Sequence, residues 1–424
     1  MTIQITSVRA LEILDSRGRP TLTVSLELGS GLRCNAGVPS GASTGSGEAV
    51  ELRDGGTVRY GGKGVQSAVD NVNGPVRDAL SGRSFGSLAD LDQTLRDLDG
   101  TPNKAGLGAN AIVGVSMAAA RAFAATADRP LWRYLTPESV EAVLPVPHFN
   151  VVNGGAHAPN SLDFQEFMLA PLGAPDIAEA VRAGAEVYAA LKSRLSAGGH
   201  ATGLGDEGGF APDISRPEDV LDTLVGAIKD AGYTPGLDGV AIALDPAASE
   251  FYHDGAYHVA DRTLSSADMV GYYGELVERY PIWSIEDGLA EDDWDGWTDL
   301  TRQLRERVQL VGDDIFVTDP AVIAQAVERE VANAALIKVN QIGTVTETLD
   351  ALRVCRENGY AAMISHRSGE TPDTFIADLA VGSGCGQLKS GAPARGERVA
   401  KYNRLLEIHA YTPELGYPRL GSGR

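Results

Sequence analysis

Val240-Ala241-Ile242-Ala243-Leu244-Asp245 is an apolar run that stops on an acid, and four runs of the same build follow it. They are Ile282 to Asp287 (I-W-S-I-E-D), Val308 to Asp314 (V-Q-L-V-G-D-D), Ala334 to Asn340 (A-A-L-I-K-V-N) and Ala361 to Arg367 (A-A-M-I-S-H-R). Short, nearly continuous apolar runs read as strands buried on both faces, as in a parallel sheet covered by helices. The steps from Asp245 through Glu286, Asp313 and Lys338 to His366 are 41, 27, 25 and 28 residues, about one strand plus one helix each. Five consecutive β/α units are expected, and in a barrel of such units the strand-end residues share one mouth. A polar residue capping a strand explains any one of these acids. It does not explain three acids, a lysine and a His-Arg pair all ending buried strands.

Working outward, amphipathic stretches such as Ile177 to Leu195 read as the covering helices. Upstream the character changes. Thr21 to Leu28 (T-L-T-V-S-L-E-L) alternates, and Gly29-Ser30-Gly31 turns it into a second extended stretch, which predicts an antiparallel hairpin. A Gly- and Ser-rich segment, Pro39 to Gly47, precedes helical patterns, of which Gly108 to Ala125 is the richest in alanine. A chain of 424 residues is long enough for two domains, the first a small α+β unit.

The net charge of -21 leaves no basic excess to neutralise phosphates, so nucleic acid and anionic membrane surfaces are excluded as partners. An anionic substrate has to be drawn in locally, which acids holding divalent cations achieve. Cys34, Cys355 and Cys385 lack the short spacing of a zinc or redox motif. Met1 to Gly18 carries Arg9, Glu12, Asp15 and Arg17 and has no long apolar run, so the expectation is a cytoplasmic protein with reduced thiols.

Asp245, Glu286 and Asp313 offer hard oxygen ligands suited to Mg²⁺, with Asp287 and Asp314 as weaker neighbours, while zinc lacks its usual histidine and cysteine donors. Lys338 follows a strand-like run, where burial and nearby cations are expected to depress its pKa and make a neutral amine available as a base. Only seven lysines occur among 36 basic residues, so lysine at Lys338 and Lys389 reads as chosen over arginine, which cannot release its proton. Asp206 and Glu207 lie in a glycine-flanked loop, Gly205 to Gly209, and His157, Gln165 and Glu166 say little one by one. Arg367 and Ser368 beside Gly369 make a setting for a phosphate.

Taken jointly, the motifs E-I-L-D-S-R-G (12–18), P-S-G-A-S-T-G (39–45), F-N-V-V-N-G-G-A-H-A (149–158), D-F-Q-E-F-M (163–168), G-D-E-G-G-F-A-P (205–212), S-I-E-D (284–287), V-G-D-D (311–314), K-V-N-Q-I-G-T (338–344), S-H-R-S-G-E-T (365–371) and K-S-G-A-P-A-R (389–395) are specific. Along nearly its whole length the chain resembles the enolase family. The resemblance implies an α/β protein: an N-terminal α+β capping domain, residues 1–135, on a C-terminal modified β/α (TIM-type) barrel, residues 136–424. It implies Mg²⁺-dependent dehydration of 2-phosphoglycerate to phosphoenolpyruvate, a carbon-oxygen lyase reaction of the anti type. Lys338 would remove the C2 proton and Glu207 protonate the departing C3 hydroxyl, with Glu166, His157 and His366 lining the pocket. Asp245, Glu286 and Asp313 would hold one Mg²⁺ with Lys389 assisting at the carboxylate. A second Mg²⁺, which can arrive with substrate, would use Ser43 in a mobile loop. Gln165, Arg367, Ser368, His366 and Lys389 would contact the small phosphorylated acid. Homodimers and octamers occur in the family.

Ala156, Pro159, Gly288, Gly47, Gly396 and His148 depart from what most family members carry, and the tail after Ile408 is short. Several of these remove bulk, which leaves open a second reading: a paralogue dehydrating a modified glycerate, such as the carboxyphosphonoenolpyruvate synthase of phosphonate antibiotic pathways. A third is a catalytically idle relative serving as a binding protein.

Overall fold

The computed structural model describes residues 2–42 and 44–420. Strands β1 (Ile3–Leu14), β2 (Pro20–Leu28), β3 (Arg33–Gly37) and β4 (Ser84–Phe85) form an antiparallel sheet in the order β3-β2-β1-β4, and the hairpin expected around Gly29 to Gly31 is β2-β3. The Ala-rich helix Ala109–Thr126 covers one face of this sheet. Its Gly114 allows the close approach, since a Cβ there would lie 2.6 Å from Val24 and 2.9 Å from Val38. This helix is long and apolar enough to cross a membrane, but 83% of it is buried inside the protein, as befits the core of this layer.

The barrel begins at β5 (Val146–Asn153) and continues with β6 (Glu166–Ala170) and β7 (Ala241–Asp245). A small antiparallel meander follows, β8 (Tyr252–His253), β9 (Ala256–Val259) and β10 (Arg262–Leu264), which accounts for the long step from Asp245 to Glu286. The remaining barrel strands are β11 (Ile282–Glu286), β12 (Gln309–Gly312), β13 (Ala334–Ile337), β14 (Ala361–Ser365) and β15 (Gln387–Lys389). The eight close in the order β11-β12-β13-β14-β15-β5-β6-β7, an α/β barrel with a capping α+β region at the N-terminus, as the sequence leads one to expect.

One strand breaks the parallel pattern. β6 runs antiparallel to both β5 and β7, with Glu166 paired opposite Asp245. Its first residue therefore stands at the rim where every other strand delivers its last. Two helices, Ile177–Ala197 and Pro217–Asp230, return the chain to the start of β7, and the connection between them carries Glu207.

Inside the barrel, below the rim, Val146, Met168, Ala170, Ala241, Ala243 and Trp283 pack together, and Val311, Ala334, Leu336 and Met363 form a second cluster. Gln309 and Gln387 exchange side-chain hydrogen bonds of 2.9 Å each. Trp283 turns inward beside a register shift in β11 and donates to His148 Nε2 at 3.1 Å. Burial pushes His148 down to about 3, so it is a neutral acceptor.

Polar contacts join the N-terminal layer to the barrel. Arg121 forms a two-pronged pair with Asp373 at 2.7 and 2.8 Å, and Lys104 reaches Glu347 at 3.0 Å. Asp92 accepts from Thr346 N at 3.0 Å, at the start of the helix Val345–Glu357. Burial raises the Asp92 carboxyl to about 6, against the pull of its bonds to Thr346 and Ser116. A carboxyl whose folded pKa is raised binds protons more tightly in the folded state, so its share of stability grows as pH falls through 6. We expect Asp92→Asn to gain on the wild type at pH 8 and to lose about 1 kcal/mol of that advantage by pH 5. Urea unfolding of both proteins at the two pH values measures the difference, and a pH-independent difference would contradict it.

Candidate active site

The strand-end groups gather as the spacing predicts. Asp245 ends β7, Glu286 ends β11 and Lys389 ends β15, while Asp313, Lys338 and His366 each lie one residue past β12, β13 and β14. With His157, Gln165, Glu166, Glu207, Arg367 and Ser368 they surround one mouth, and none is more than 9% exposed. Ser43 lies outside the described residues.

Two lysines organise the acids. Lys389 Nζ donates to Glu286 Oε1 at 2.7 Å and to Glu166 Oε2 at 3.3 Å, and lies 3.6 Å from Asp245 Oδ2. Lys338 Nζ pairs with Asp313 Oδ2. Burial opposes charge on Lys338, but the surrounding carboxylates, Asp313 foremost and Glu286 after it, raise it and the group sits above the ordinary lysine range. The expectation of a depressed Lys338 is corrected here: the sequence shows a buried lysine but not the carboxylate against it. Burial, Arg367 and Lys389 push Lys338 down, so engaging Asp313 elsewhere leaves Glu286 as the smaller opposing influence.

The acids outnumber these cations. Glu286 is held well above the carboxylate range by burial and then by Asp245, Asp313 and Glu166, despite Lys389. Its Oε2 is buried and has no hydrogen-bond partner among the described residues. Asp287 is not a cavity-facing ligand: its carboxylate accepts the backbone N–H groups of Asp313 at 2.8 Å and Asp314 at 2.9 Å and so fixes the turn that aims Asp313. Two sets of possible metal-ligand atoms lie within 4.8 Å of one another, His157-Glu166-Glu207 and Asp287-Asp313-Asp314. Divalent metal at this mouth is consistent with these acids, although Asp287 is committed to the turn and neither set among the described residues is the Asp245-Glu286-Asp313 set expected from sequence.

On the other side of the mouth, His157 Nδ1 stands 3.6 Å from Glu166 and 3.7 Å from Glu207. His366 Nε2 is 3.1 Å from Glu207 Oε2, which also accepts from Asn150 Nδ2 at 2.9 Å. Arg398 donates to His366 Nδ1, which fixes the neutral tautomer with its hydrogen on Nε2, and burial pushes this histidine down to about 3. The two glutamates are driven apart. Burial and the Glu207 charge hold Glu166 well above the carboxylate range, whereas His366, His157 and Arg398 overcome burial and hold Glu207 well below it. The two carboxyls are thus pushed in opposite directions and titrate as a pair.

Arg367 meets Glu48 through two 3.0 Å contacts and Asn340 Oδ1 at 3.2 Å. The fully buried Arg398 donates to the carbonyls of Arg367 and Ser368, each at 2.6 Å, and shapes this turn. Asn150, Glu48, Gln341 and Arg398 belong to the site and were not singled out from sequence. Only the motifs 149–158, which contains Asn150, and 338–344, which contains Gln341, pointed toward any of them.

The departures do not open the pocket. Ala156, Pro159, Gly288, Gly47, Gly396 and His148 are all absent from the cavity lining, which consists of site residues named above and Ser365. A Cβ on Gly288 would sit 3.3 Å from Ile285, Leu300 and Tyr273, and one on Gly47 would sit 3.2 Å from Val317. Gly288 marks no vacated space, and Gly47 borders a separate cavity with Ser46, Glu291 and Asp314.

A family model described as the enolase N-terminal domain matches residues 5–135, and one described as the enolase C-terminal TIM barrel domain matches residues 141–417. Together they span nearly the whole chain, and the described barrel is the architecture they name. The chain belongs to the enolase family and is a hydro-lyase.

Proposed function

We propose that the protein dehydrates 2-phosphoglycerate to phosphoenolpyruvate, with Lys338 taking the C2 proton and the Glu166–Glu207 pair releasing one to the departing C3 hydroxyl. The observation that carries this reading is the division of labour at the rim: an amine beside Asp313 on one side and, on the other, the Glu166 and Glu207 carboxyls on either side of His157. C2 becomes trigonal as its proton leaves, and negative charge flows into the substrate carboxylate. Lys389, fixed by Glu286 and Glu166, keeps its positive charge there. Loss of the hydroxyl as water needs one proton, and Asn150 and His366 hold Glu207 in place to pass it on. Arg367 and Ser368 would take the phosphate.

The partnerless Oε2 of Glu286, the mutual repulsion of these acids and an all-oxygen donor set fit Mg²⁺. Asp245, Glu286 and Asp313 would hold one ion, which when bound supplies further positive charge at the substrate carboxylate. A second would use Ser43 and the phosphate. The division into domains 1–135 and 136–424, a homo-oligomeric assembly and a cytoplasmic location with reduced thiols belong to the same proposal, the last supported by three unpaired cysteines.

Adding 2-phosphoglycerate with Mg²⁺ is expected to raise ultraviolet absorbance as the conjugated enol forms. Chelation should return the rate to background and added Mg²⁺ should restore it. A protein that binds Mg²⁺ and phosphate but produces no rise would overturn the reading.

A further inference from the structure

Gln341 lies in the motif after Lys338, is 1% exposed, and has no part in the chemistry above. Its amide nitrogen has two carboxylate partners. It donates to Asp313 Oδ1 at 2.8 Å and to Glu48 Oε1 at 3.3 Å. Its amide oxygen accepts from Thr318 Oγ1 at 2.6 Å, and that hydroxyl in turn accepts the backbone N–H of Lys338 at 2.9 Å. The Thr318 bond settles which end of the amide faces the acids. Even its backbone is engaged, because Ala49 N donates to Gln341 O at 2.8 Å.

The two carboxylates serve different halves of the site. Asp313 pairs with Lys338 on one oxygen and takes Gln341 on the other. Glu48 holds Arg367 by a two-pronged contact and also accepts from Gly45 N at 3.3 Å, within the loop segment that follows Pro39. One side chain therefore bridges the acid beside the base and the acid that aims the arginine. A change in the charge or position of either carboxylate is felt by the other through a single shared NH₂ group.

We propose that Gln341 is a positioning residue that couples the cation half of the site to the anion half, so that occupancy of Asp313 by a divalent cation favours the Arg367 geometry that accepts a phosphate. The inference rests on the metal and phosphate roles proposed above. When Asp313 turns toward a cation, Gln341 keeps its Thr318 anchor and redistributes its two N–H bonds between Asp313 and Glu48. Glu48 then trades its hold on Arg367 against a stronger bond to the amide. The coupling is reciprocal, as linkage requires: phosphate on Arg367 should tighten the cation by the same factor.

The test is equilibrium binding rather than turnover. Mg²⁺ is titrated calorimetrically into the full chain with and without inorganic phosphate, for the wild type, Gln341→Met and Glu48→Gln. In the wild type phosphate is expected to tighten Mg²⁺ about fivefold or more. In Gln341→Met, which keeps the volume and removes both amide bonds, the factor should shrink to less than half the wild-type value while each ligand still binds. Glu48→Gln should shrink it similarly, and the double variant should be no worse than either single one, because the two act along one path. Equal coupling factors in all four proteins would overturn the inference while leaving the catalytic reading intact. Strictly additive losses in the double variant would also overturn it. Absence of Mg²⁺ and phosphate binding in the wild type would remove both. If Gln341→Met does not fold, Glu48→Gln alone decides: an unchanged factor refutes the path and a reduced one supports it.

Discussion

Lys338→Ala is expected to stop solvent exchange of the C2 hydrogen of 2-phosphoglycerate and to lower turnover by about 10²- to 10⁴-fold, the range of a lost general base. Lys338 is the amine at the end of β13, between the Asp313 and His366 strands, and its backbone N–H is fixed to Thr318. The second lysine of the rim, Lys389, is engaged by Glu286, Glu166 and Asp245 together and stands at the carboxylate end of the proposed substrate, and so is poorly placed to accept the C2 proton. Mass-spectrometric detection of deuterium at C2 separates exchange from dehydration. Wash-in by the alanine variant at the wild-type rate would end the assignment of Lys338 as the base. Because alanine also leaves Asp313 without its cation, Lys338→Met is a useful companion that preserves bulk.

Glu207→Gln should show the complementary defect: C2 exchange persists, while dehydration falls by about 10²- to 10⁴-fold. Glutamine keeps a hydrogen-bonding group beside His366 and Asn150 but neither carries nor relays the proton. The structure refines what the sequence implied for this residue. Its environment holds Glu207 down while burial and the Glu207 charge push Glu166 up, so Glu166→Gln should share the defect. If Glu207→Gln dehydrates normally while Glu166→Gln does not, the acid is Glu166 alone and His157, near both, serves only to orient it.

How much of this could be read before the structure follows from what a parallel barrel writes into a sequence. Asp245, Glu286, Asp313, Lys338 and His366 were legible because each ends a strand buried on both faces, so an apolar run marks the strand and its stop marks the rim. Glu166 obeys no such rule, since it opens a reversed strand and stands before its apolar run. Glu48, Asn150 and Gln341 were not legible because their contribution is contact with another polar side chain far away in sequence, as between Gln341 and Glu48. The charge state of Lys338 was misread for the same reason, its neighbour Asp313 lying on another strand. The long step to Glu286 looked like one β/α unit but holds the β8-β9-β10 meander as well.

The reversal of β6 sets the handedness that the mouth can read. Around the ring of eight strands β6 stands four places from β13, so Glu166 and Lys338 face each other across the full width of the rim. A mirror-image phosphoglycerate anchored by the same carboxylate and phosphate would turn its C2 hydrogen toward the carboxyl wall, away from Lys338. On the proposed roles, chiral discrimination would be a product of chain direction: one strand laid the other way round gives the cavity two unlike walls.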